Sequence, residues 1–331
     1  MNNCSPHIKT LFLVAGRRAL MKLYLRRSLQ QPFFKAAFFI VCSSFLSCEK
    51  DFDINIKTNK PQLVVEAYIN NEARDYNYVV LSRSLDYFST SFQSIGVSNA
   101  AVSITEGERV NNTYQWNAAS KVNLVEANFP GVPPNFKSGV YFDPKLIIDS
   151  ANALRGKTGK SYLLEISEGG NNYSAVATLL NPIKIDSLTT GFAFNDEDDN
   201  NIRKVRVSIH YQDPDTLNNT LLFYTRFSEN RTQFGWGTLY RSRFIGVDDV
   251  TNGQYMHVTH GRGYLPGDTV TYNMASVTRD VYTFWQSFNS ARNNNGPFAT
   301  PVTLKTNITG NNVTGCFSGL SLSSKTVIVR E

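Results

Sequence analysis

Short runs of β-branched and aromatic residues, each bounded by turn-forming residues, dominate the chain from residue 61 onward. Residues 63–69 read LVVEAYI and end at an Asn-Asn pair, and residues 161–166 read SYLLEI and end shortly before Gly169-Gly170. Such runs predict antiparallel β-strands, and the paired glycines predict a hairpin. Strands and helices do not alternate along the chain, which argues against a doubly wound α/β enzyme fold. Further strands are predicted over residues 78–81, 101–105, 173–177, 205–211 and 221–227.

This pattern predicts a mainly β fold with two domains. The turn-forming pair Asn181-Pro182 predicts the boundary between them. An N-terminal β-sandwich is therefore expected over residues 61–182, and a C-terminal β-rich domain over residues 183–331. Residues 183–188, IKIDSL, are expected to open the second domain.

One amphipathic helix is predicted in the C-terminal domain. Thr278 is suited to the N-cap, and Asp280 in the first turn interacts favourably with the helix dipole. Apolar residues then recur at helical spacing until residues 293–297, NNNGP, which end the helix. We expect the apolar face to pack in a core, and stacking on a ligand is the alternative. The face consists of Val281, Phe284, Trp285 and Phe288.

Positive charge is concentrated at the N-terminus of the chain. The 331 residues include 33 Lys and Arg against 27 Asp and Glu, which gives a formal net charge of +6. Residues 1–47 contain seven of the basic residues and none of the acidic ones, so 26 basic residues face 27 acidic ones in the remainder. A net charge of −1 over residues 48–331 argues against a nucleic-acid partner.

The basic N-terminal region leads into an export signal. Residues 36–42, AAFFIVC, form an apolar segment that is too short to span a bilayer, and Leu46-Ser47-Cys48 follows it. This arrangement predicts a signal peptide over residues 1–47, with Met21 as an alternative translation start. Leu-Ser-Cys resembles a bacterial lipobox, which implies that Cys48 is lipidated and becomes the first mature residue.

Residues 48–60 are predicted to form a lipidated tether that holds the protein on a membrane. The charged residues behind the cysteine resemble a surface-export signal, and an ordinary solvated linker explains them equally well. The residues of this signal are Glu49, Lys50, Asp51 and Asp53. Removal of the signal peptide and lipidation of Cys48 would leave Cys316 as the one remaining thiol, which we expect to be a small buried apolar side chain.

The order of several segments resembles the Bacteroidetes lipoprotein family known as domain of unknown function 4249. The resemblance implies an Ig-like or transthyretin-like first sandwich followed by a second β-rich domain. It also implies an outer-membrane lipoprotein encoded beside a TonB-dependent receptor barrel, and it carries no catalytic residue. Cys316 departs from the family, which more often has an aromatic residue there. The matching segments are residues 48–49, 61–67, 79–84, 99–104, 159–164, 295–298, 305–308 and 315–317, together with the aromatic helix.

Motifs that could carry catalysis or bind a metal are incomplete. Residues 196–200 begin like a calcium loop, but Asn201 and Val207 stand where such a loop needs Gly and Glu. Residues 257–260, HVTH, are predicted to lie on a strand, where residues three apart point to opposite faces. The glycines of residues 261–267 are better explained by turns than by a phosphate loop. We therefore predict no catalytic residue, no metal site, no cofactor and no enzymatic activity.

Aromatic residues among glycines at residues 234–240, FGWGTLY, are the best candidates for contact with a ligand or partner. Phe234, Trp236 and Tyr240 could equally cap one end of a sandwich. Together with the lipobox, the acidic tether and the β architecture, the family resemblance implies an accessory or lid subunit of a TonB-dependent transporter in nutrient uptake. A free-standing glycan- or peptide-binding surface module is the first alternative, and a structural or adhesin-like envelope lipoprotein is the second.

Overall fold

β-strands account for most of the residues that the computed structural model describes, which are 60–85, 95–128, 138–197, 201–228, 244–247, 252–294, 300 and 302–331. The mainly β sandwich fold predicted from the sequence is confirmed. The strands are β1 (Leu63–Asn70), β2 (Tyr78–Arg83), β3 (Ala101–Val110), β4 (Thr113–Trp116), β5 (Val122–Glu126), β6 (Val140–Phe142), β7 (Ser161–Glu168), β8 (Asn171–Thr178), β9 (Ser187–Asp196), β10 (Ile202–Gln212), β11 (Thr220–Ser228), β12 (Phe244–Val247), β13 (Tyr255–Tyr264), β14 (Thr269–Val277) and β15 (Val313–Ile328). Two α-helices are described, α1 (Lys145–Ile148) and α2 (Arg279–Asn293).

Most of these strands join one large mixed sheet with the order β12-β11-β14-β15-β1-β2-β6-β5-β3-β7-β8, and β4 pairs with β3. A separate three-stranded sheet has the order β13-β10-β9. β1 and β15 pair in parallel, from Leu63 opposite Val313 to Asn70 opposite Leu320. The first strand of the described chain is therefore held by the last one.

Strands from both sides of residue 182 share the large sheet, because β15 pairs with β1 on one side and β14 on the other. The described residues fall within one compact unit. The boundary at residues 182 and 183 stays a prediction. The segment that follows it differs from a simple strand, since β9 begins only at Ser187. The backbone N–H groups of Ile183 and Ile185 instead donate to the hydroxyls of Ser276 (3.0 Å) and Ser323 (2.9 Å).

Alternation of inward and outward residues along the strands builds three apolar clusters. The first fills the sandwich that β1, β2, β3, β7 and β8 enclose. The second packs α2 against the sheet, and the third lies under the three-stranded sheet. Representative buried residues are Leu63, Ile104, Leu164 and Phe317 in the first cluster, Trp285 and Cys316 in the second, and Val205 and Tyr272 in the third.

Helix α2 confirms the predicted amphipathic helix. It begins after Thr278 and ends at Asn293, and Val281, Phe284 and Trp285 are buried on its inner face. The Thr278 hydroxyl makes no capping hydrogen bond, so this residue caps by position only. Phe288 is 37% exposed and stacks on Phe284 with ring centroids 6.3 Å apart. The face therefore packs mainly in the core, as expected.

The glycine-rich segment at residues 261–267 is only partly a turn, so the prediction was wrong for residues 261–264. These residues belong to β13, and the turn begins at Leu265. A Cβ at Gly263 would lie 2.6 Å from the Cβ of Lys204 and 2.7 Å from the ring of Phe194. The glycine is therefore explained by close packing between strands rather than by turn geometry.

Candidate functional site

The functional residues predicted from the sequence lie outside the described residues. This applies to the lipidation site and export signal, which are Cys48, Glu49, Lys50, Asp51 and Asp53, and to the candidate contact residues Phe234, Trp236 and Tyr240. Their roles stay predictions. The described residues contain a different candidate site, on the outer face of the sheet formed by β5, β3, β7 and β8.

A groove of about 620 Å³ opens on this outer face. We call it the polar groove, because most of the side chains that point into it are hydroxyls, amides or charged groups. The polar residues that line it are Ser103, Lys121, Asn123, Glu165, Ser167, Asn172, Ser174 and Thr309. Its size falls in the range of roughly 300–1,000 Å³ that is typical of ligand sites in proteins.

Strand register aligns five of these side chains in one row across the sheet. Asn123 of β5 lies opposite Ser103 of β3, which lies opposite Glu165 of β7. Glu165 lies opposite Ser174 of β8, and an isolated bridge pairs Ser174 with Thr309. We call this set the cross-strand row. The residues that alternate with it along the strands, such as Val102 and Ile166, point into the first core.

Thr309 is fixed at the end of the row by backbone hydrogen bonds. Its N–H donates to the carbonyl of Ser174 at 2.7 Å, and the N–H of Ser174 donates to the carbonyl of Thr309 at 3.0 Å. The neighbouring Ile308 is 6% exposed and belongs to the first core cluster. The backbone bonds to Ser174 and the buried side chain of Ile308 together fix this segment, so the exposed Thr309 side chain is held against the edge of β8.

Charge in the polar groove is internally compensated. Lys121 and Glu165 are the charged residues among the described residues that line it, and Lys121 Nζ lies 2.8 Å from Glu165 Oε2. Both side chains are nearly half exposed, so this ion pair contributes little to stability. The Ser103 hydroxyl donates to the same Glu165 oxygen at 3.4 Å. The ion pair leaves the groove with hydrogen-bonding capacity and no net charge.

An aromatic pair stands on the same outer face, beyond one end of the polar groove. Tyr114 and Trp116 of β4 stack with ring centroids 5.2 Å apart and an interplanar angle of 16°. Trp116 packs over Gly107 of β3, and the Arg109 guanidinium lies 5.9 Å from the centre of the Tyr114 ring. Tyr114 is nonetheless 36% exposed, so the stacked pair forms an aromatic ridge that is partly open to solvent.

Titratable groups near the tip of the β3–β4 hairpin form a structural network. Burial raises the pKa of Tyr162, whose hydroxyl accepts from the Lys157 N–H at 2.8 Å and donates to Glu106 at 3.1 Å. The hydrogen bond and the charge of Lys160 lower the pKa of Glu108, and the same contact raises the pKa of Lys160. Each group has a partner within the protein, so the network joins β3 to β7 and to the loop before it, and the exposed Glu108–Lys160 pair contributes little to stability.

The predicted strand at residues 257–260 is confirmed as part of β13. This strand pairs with β10 and so brings together two histidines that are distant in the sequence. His257 lies opposite His210 of β10, and their rings stack with centroids 4.6 Å apart and an interplanar angle of 9°. The Thr189 hydroxyl lies 2.8 Å from His210 Nε2. Across the residues that the structure describes, no group of three or more His, Cys, Asp and Glu side chains could hold a metal ion.

Cys316 is 2% exposed and lies in the second core cluster, which confirms that its side chain is buried. Its sulfur accepts a hydrogen bond from the Ser318 hydroxyl at 3.4 Å.

Among the described residues, no helix is both long enough and apolar enough to cross a membrane.

Sequence reasoning missed the polar groove because its residues come from distant segments of the chain. Ser103, Asn123, Glu165 and Ser174 each look like an ordinary outward residue of a half-buried strand. Only the alternation of small polar and apolar residues in β3, AVSITEG, indicates which side of that strand faces outward. No local pattern points to Thr309, which joins the row through a single bridge.

The residues that the structure describes form a mainly β fold, and the polar groove lies on an outer face of its large sheet. Residues 49–326 match the family model described as Domain of unknown function (DUF4249), so the chain belongs to this family. No curated protein sequence matches the chain.

Proposed function

We propose that this protein is a Bacteroidetes-type outer-membrane lipoprotein at the cell surface, acting as an accessory subunit of a TonB-dependent transporter in nutrient uptake. In this proposal a lipid on Cys48 holds the protein on the membrane, and the polar groove captures the ligand that the transporter imports. The observation that carries the proposal is the groove itself, which offers an open surface lined by hydrogen-bonding side chains. The lipobox and the basic N-terminal segment support the membrane anchor.

The position of the polar groove supports a role close to the membrane. The described chain starts at Lys60, three residues before β1, and Leu63 of β1 pairs with Arg83 of β2. Arg83 in turn lies 2.6 Å from Glu168 at the end of β7, two strand positions from the groove residue Ile166. The groove thus lies at the end of the sandwich where the chain enters.

The tether limits how far the groove can lie from the lipid. Lys60 follows Cys48 by twelve residue spacings. Because an extended chain spans at most about 3.6 Å per residue, the tether reaches no more than roughly 43 Å. Two or three acyl chains on Cys48 would hold the protein stably at this distance. A ligand bound in the groove would then be presented close to a transporter in the same membrane.

Affinity purification of the full-length chain from detergent-solubilised outer membranes tests this proposal. We expect a TonB-dependent receptor barrel to co-purify at comparable abundance. The variant Cys48→Ser is the matched control, because it keeps the folded part and lacks the lipid site. The barrel should not co-purify with this variant from the membrane fraction. Recovery of the wild-type protein without a barrel at comparable abundance would contradict the transporter role.

A free-standing binding module is the second candidate function, and the same groove favours it. The two functions differ in the purification, since a free-standing module binds its ligand without an associated barrel. They agree in placing the binding surface on the outer face of β3 and β7.

A further inference from the structure

We infer that the polar groove binds an extended, uncharged oligosaccharide whose sugar units run across the strands, along the cross-strand row. This inference names a ligand class for the proposed function and rests on that function only for its biological role. Binding by the purified protein is a separate question with its own test. Four properties of the row support this ligand class, which are its spacing, its chemistry, its lack of net charge and its length.

The spacing of the row suits a chain of sugar rings. Neighbouring strands in a sheet lie about 4.8 Å apart, which is close to the length of one pyranose unit in an extended chain. Asn123, Ser103, Glu165, Ser174 and Thr309 are directly opposite one another on successive strands and bridges. An oligosaccharide that crosses the strands would therefore pass over one position of the row for each sugar unit.

The chemistry of the row suits hydroxyl groups. Amide and hydroxyl side chains both donate to and accept from sugar hydroxyls, and an ionised carboxylate such as Glu165 accepts from them. Asn123, Glu165 and Thr309 are exposed, and Ser174 is partly buried, so all four are open to a ligand. Ser103 is only 6% exposed and hydrogen-bonds to Glu165, so it positions that carboxylate rather than contacting the sugar.

The charge of the groove favours a neutral ligand. Lys121 neutralises Glu165 at 2.8 Å, and no other charged residue is among the described lining residues. A polyanionic chain would meet no unpaired cation here, and a cationic one would have to displace Lys121. A peptide cannot add as a strand to β3 or β7, because both are interior strands whose backbones pair on both sides. The outer edge of β8 is already bridged by Thr309 at Ser174, which disfavours strand addition there.

The length of the row predicts how many sugars are recognised. Five aligned positions are separated by four strand spacings, which gives roughly 19 Å at about 4.8 Å each. Four or five sugar units fill this distance. The affinity should therefore rise from disaccharide to pentasaccharide and change little for a hexasaccharide.

Isothermal titration calorimetry on the mature protein, purified in detergent, tests the inference. The probes are β-linked glucose, mannose and xylose oligomers from disaccharide to hexasaccharide, with oligogalacturonic acid as the charged counterpart. We expect at least one neutral series to bind with the length dependence given above and the charged series to bind more weakly. No binding of any neutral series, or tighter binding of the charged series, would overturn the inference, as would an affinity independent of length.

Two variants locate the binding on the cross-strand row. Thr309→Val keeps the shape of the side chain and removes its hydroxyl, and Asn123→Ala removes the amide at the other end. Each should weaken pentasaccharide binding roughly fivefold, as the loss of one hydrogen bond predicts, and the length dependence should level off one sugar earlier. Thr113→Val and Gln115→Ala are matched controls, since both residues are exposed on β4 and lie on the opposite face of the hairpin.

The controls should bind as the wild type does, and all four variants should keep its melting temperature. Equal affinity of wild type, Thr309→Val and Asn123→Ala would place the ligand elsewhere and overturn the inference. Failure of the inference is distinguishable from failure of the proposed function, because co-purification of a barrel requires no added sugar. A barrel that co-purifies with a protein that binds no neutral oligosaccharide would reject the ligand class alone.

Discussion

Replacement of Asn77 by alanine should destabilise the protein strongly, because this side chain joins two segments in the interior. Asn77 and Asn70 are both fully buried. The Asn77 carbonyl oxygen accepts from the backbone N–H and from the side-chain amide of Asn70, each at 2.7 Å. The Asn77 amide donates to the carbonyl of Leu154, also at 2.7 Å. The side chain thus links the end of β1 to the loop before β7.

The expected loss follows from the groups that would be left without these partners. Alanine removes three hydrogen bonds and leaves two Asn70 donors and the Leu154 carbonyl short of a partner. Each buried group without a partner costs about 1–3 kcal/mol, partly offset where a second partner remains. The Asn70 amide keeps such a partner in the Ala73 carbonyl. We therefore expect the free energy of unfolding to fall by about 3 kcal/mol, a large share of the roughly 5–15 kcal/mol typical of folded proteins.

Urea unfolding followed by tryptophan fluorescence measures this loss. The midpoint should fall while the slope of the transition stays constant, because the surface exposed on unfolding is unchanged. Asn128→Ala is the matched control, since Asn128 is exposed, and its effect should stay below about 0.5 kcal/mol. A loss below about 1 kcal/mol for Asn77→Ala would refute the reasoning that these buried hydrogen bonds hold the two segments together.

Three further predictions concern substitution or modification of single residues. Gly315→Ala should destabilise the protein by more than about 2 kcal/mol in the same urea assay, because Gly315 has φ +129° and a Cβ would overlap the Val65 carbonyl; a smaller effect would contradict this close pairing of β1 and β15. Lys160→Gln should raise the pKa of Glu108 toward its ordinary value of 4.5 in a carboxyl NMR titration, and an unchanged pKa would rule out the contact. Since the contact lowers the Glu108 pKa, its contribution to stability is present at neutral pH and is lost as the pH falls below 4.5 through the lowered pKa. The Cys316 thiol, 2% exposed, should react with a thiol reagent only after unfolding, and rapid reaction of the native protein would contradict its burial.

Local sequence patterns predict much of this fold because strands and turns depend on nearby residues. The run at residues 161–166 and the pair Gly169-Gly170 predict the β7–β8 hairpin, where both glycines have positive φ. The spacing of Val281, Phe284 and Trp285 likewise predicts α2 and its buried face. These features follow from backbone preference and from the period of the apolar residues.

Pairing between distant strands is not predictable from the same patterns. Nothing near Leu63 indicates that β1 pairs in parallel with Val313 of β15, because that choice depends on the packing of the whole sheet. The polar groove depends on such pairings, since Ser103, Asn123 and Glu165 become neighbours only through strand register. The sequence therefore predicts the kind of fold and the anchor, whereas the structure is required to find the groove.

The mass of the N-terminal peptide of the mature protein tests the central claim of a lipid-anchored protein most directly. The protein should be isolated from cells without an added N-terminal tag, digested and analysed by mass spectrometry. We expect the peptide to begin at Cys48 and to carry a diacylglyceryl group on its sulfur. A mature N-terminus upstream of Cys48, or an unmodified Cys48, would contradict the claim.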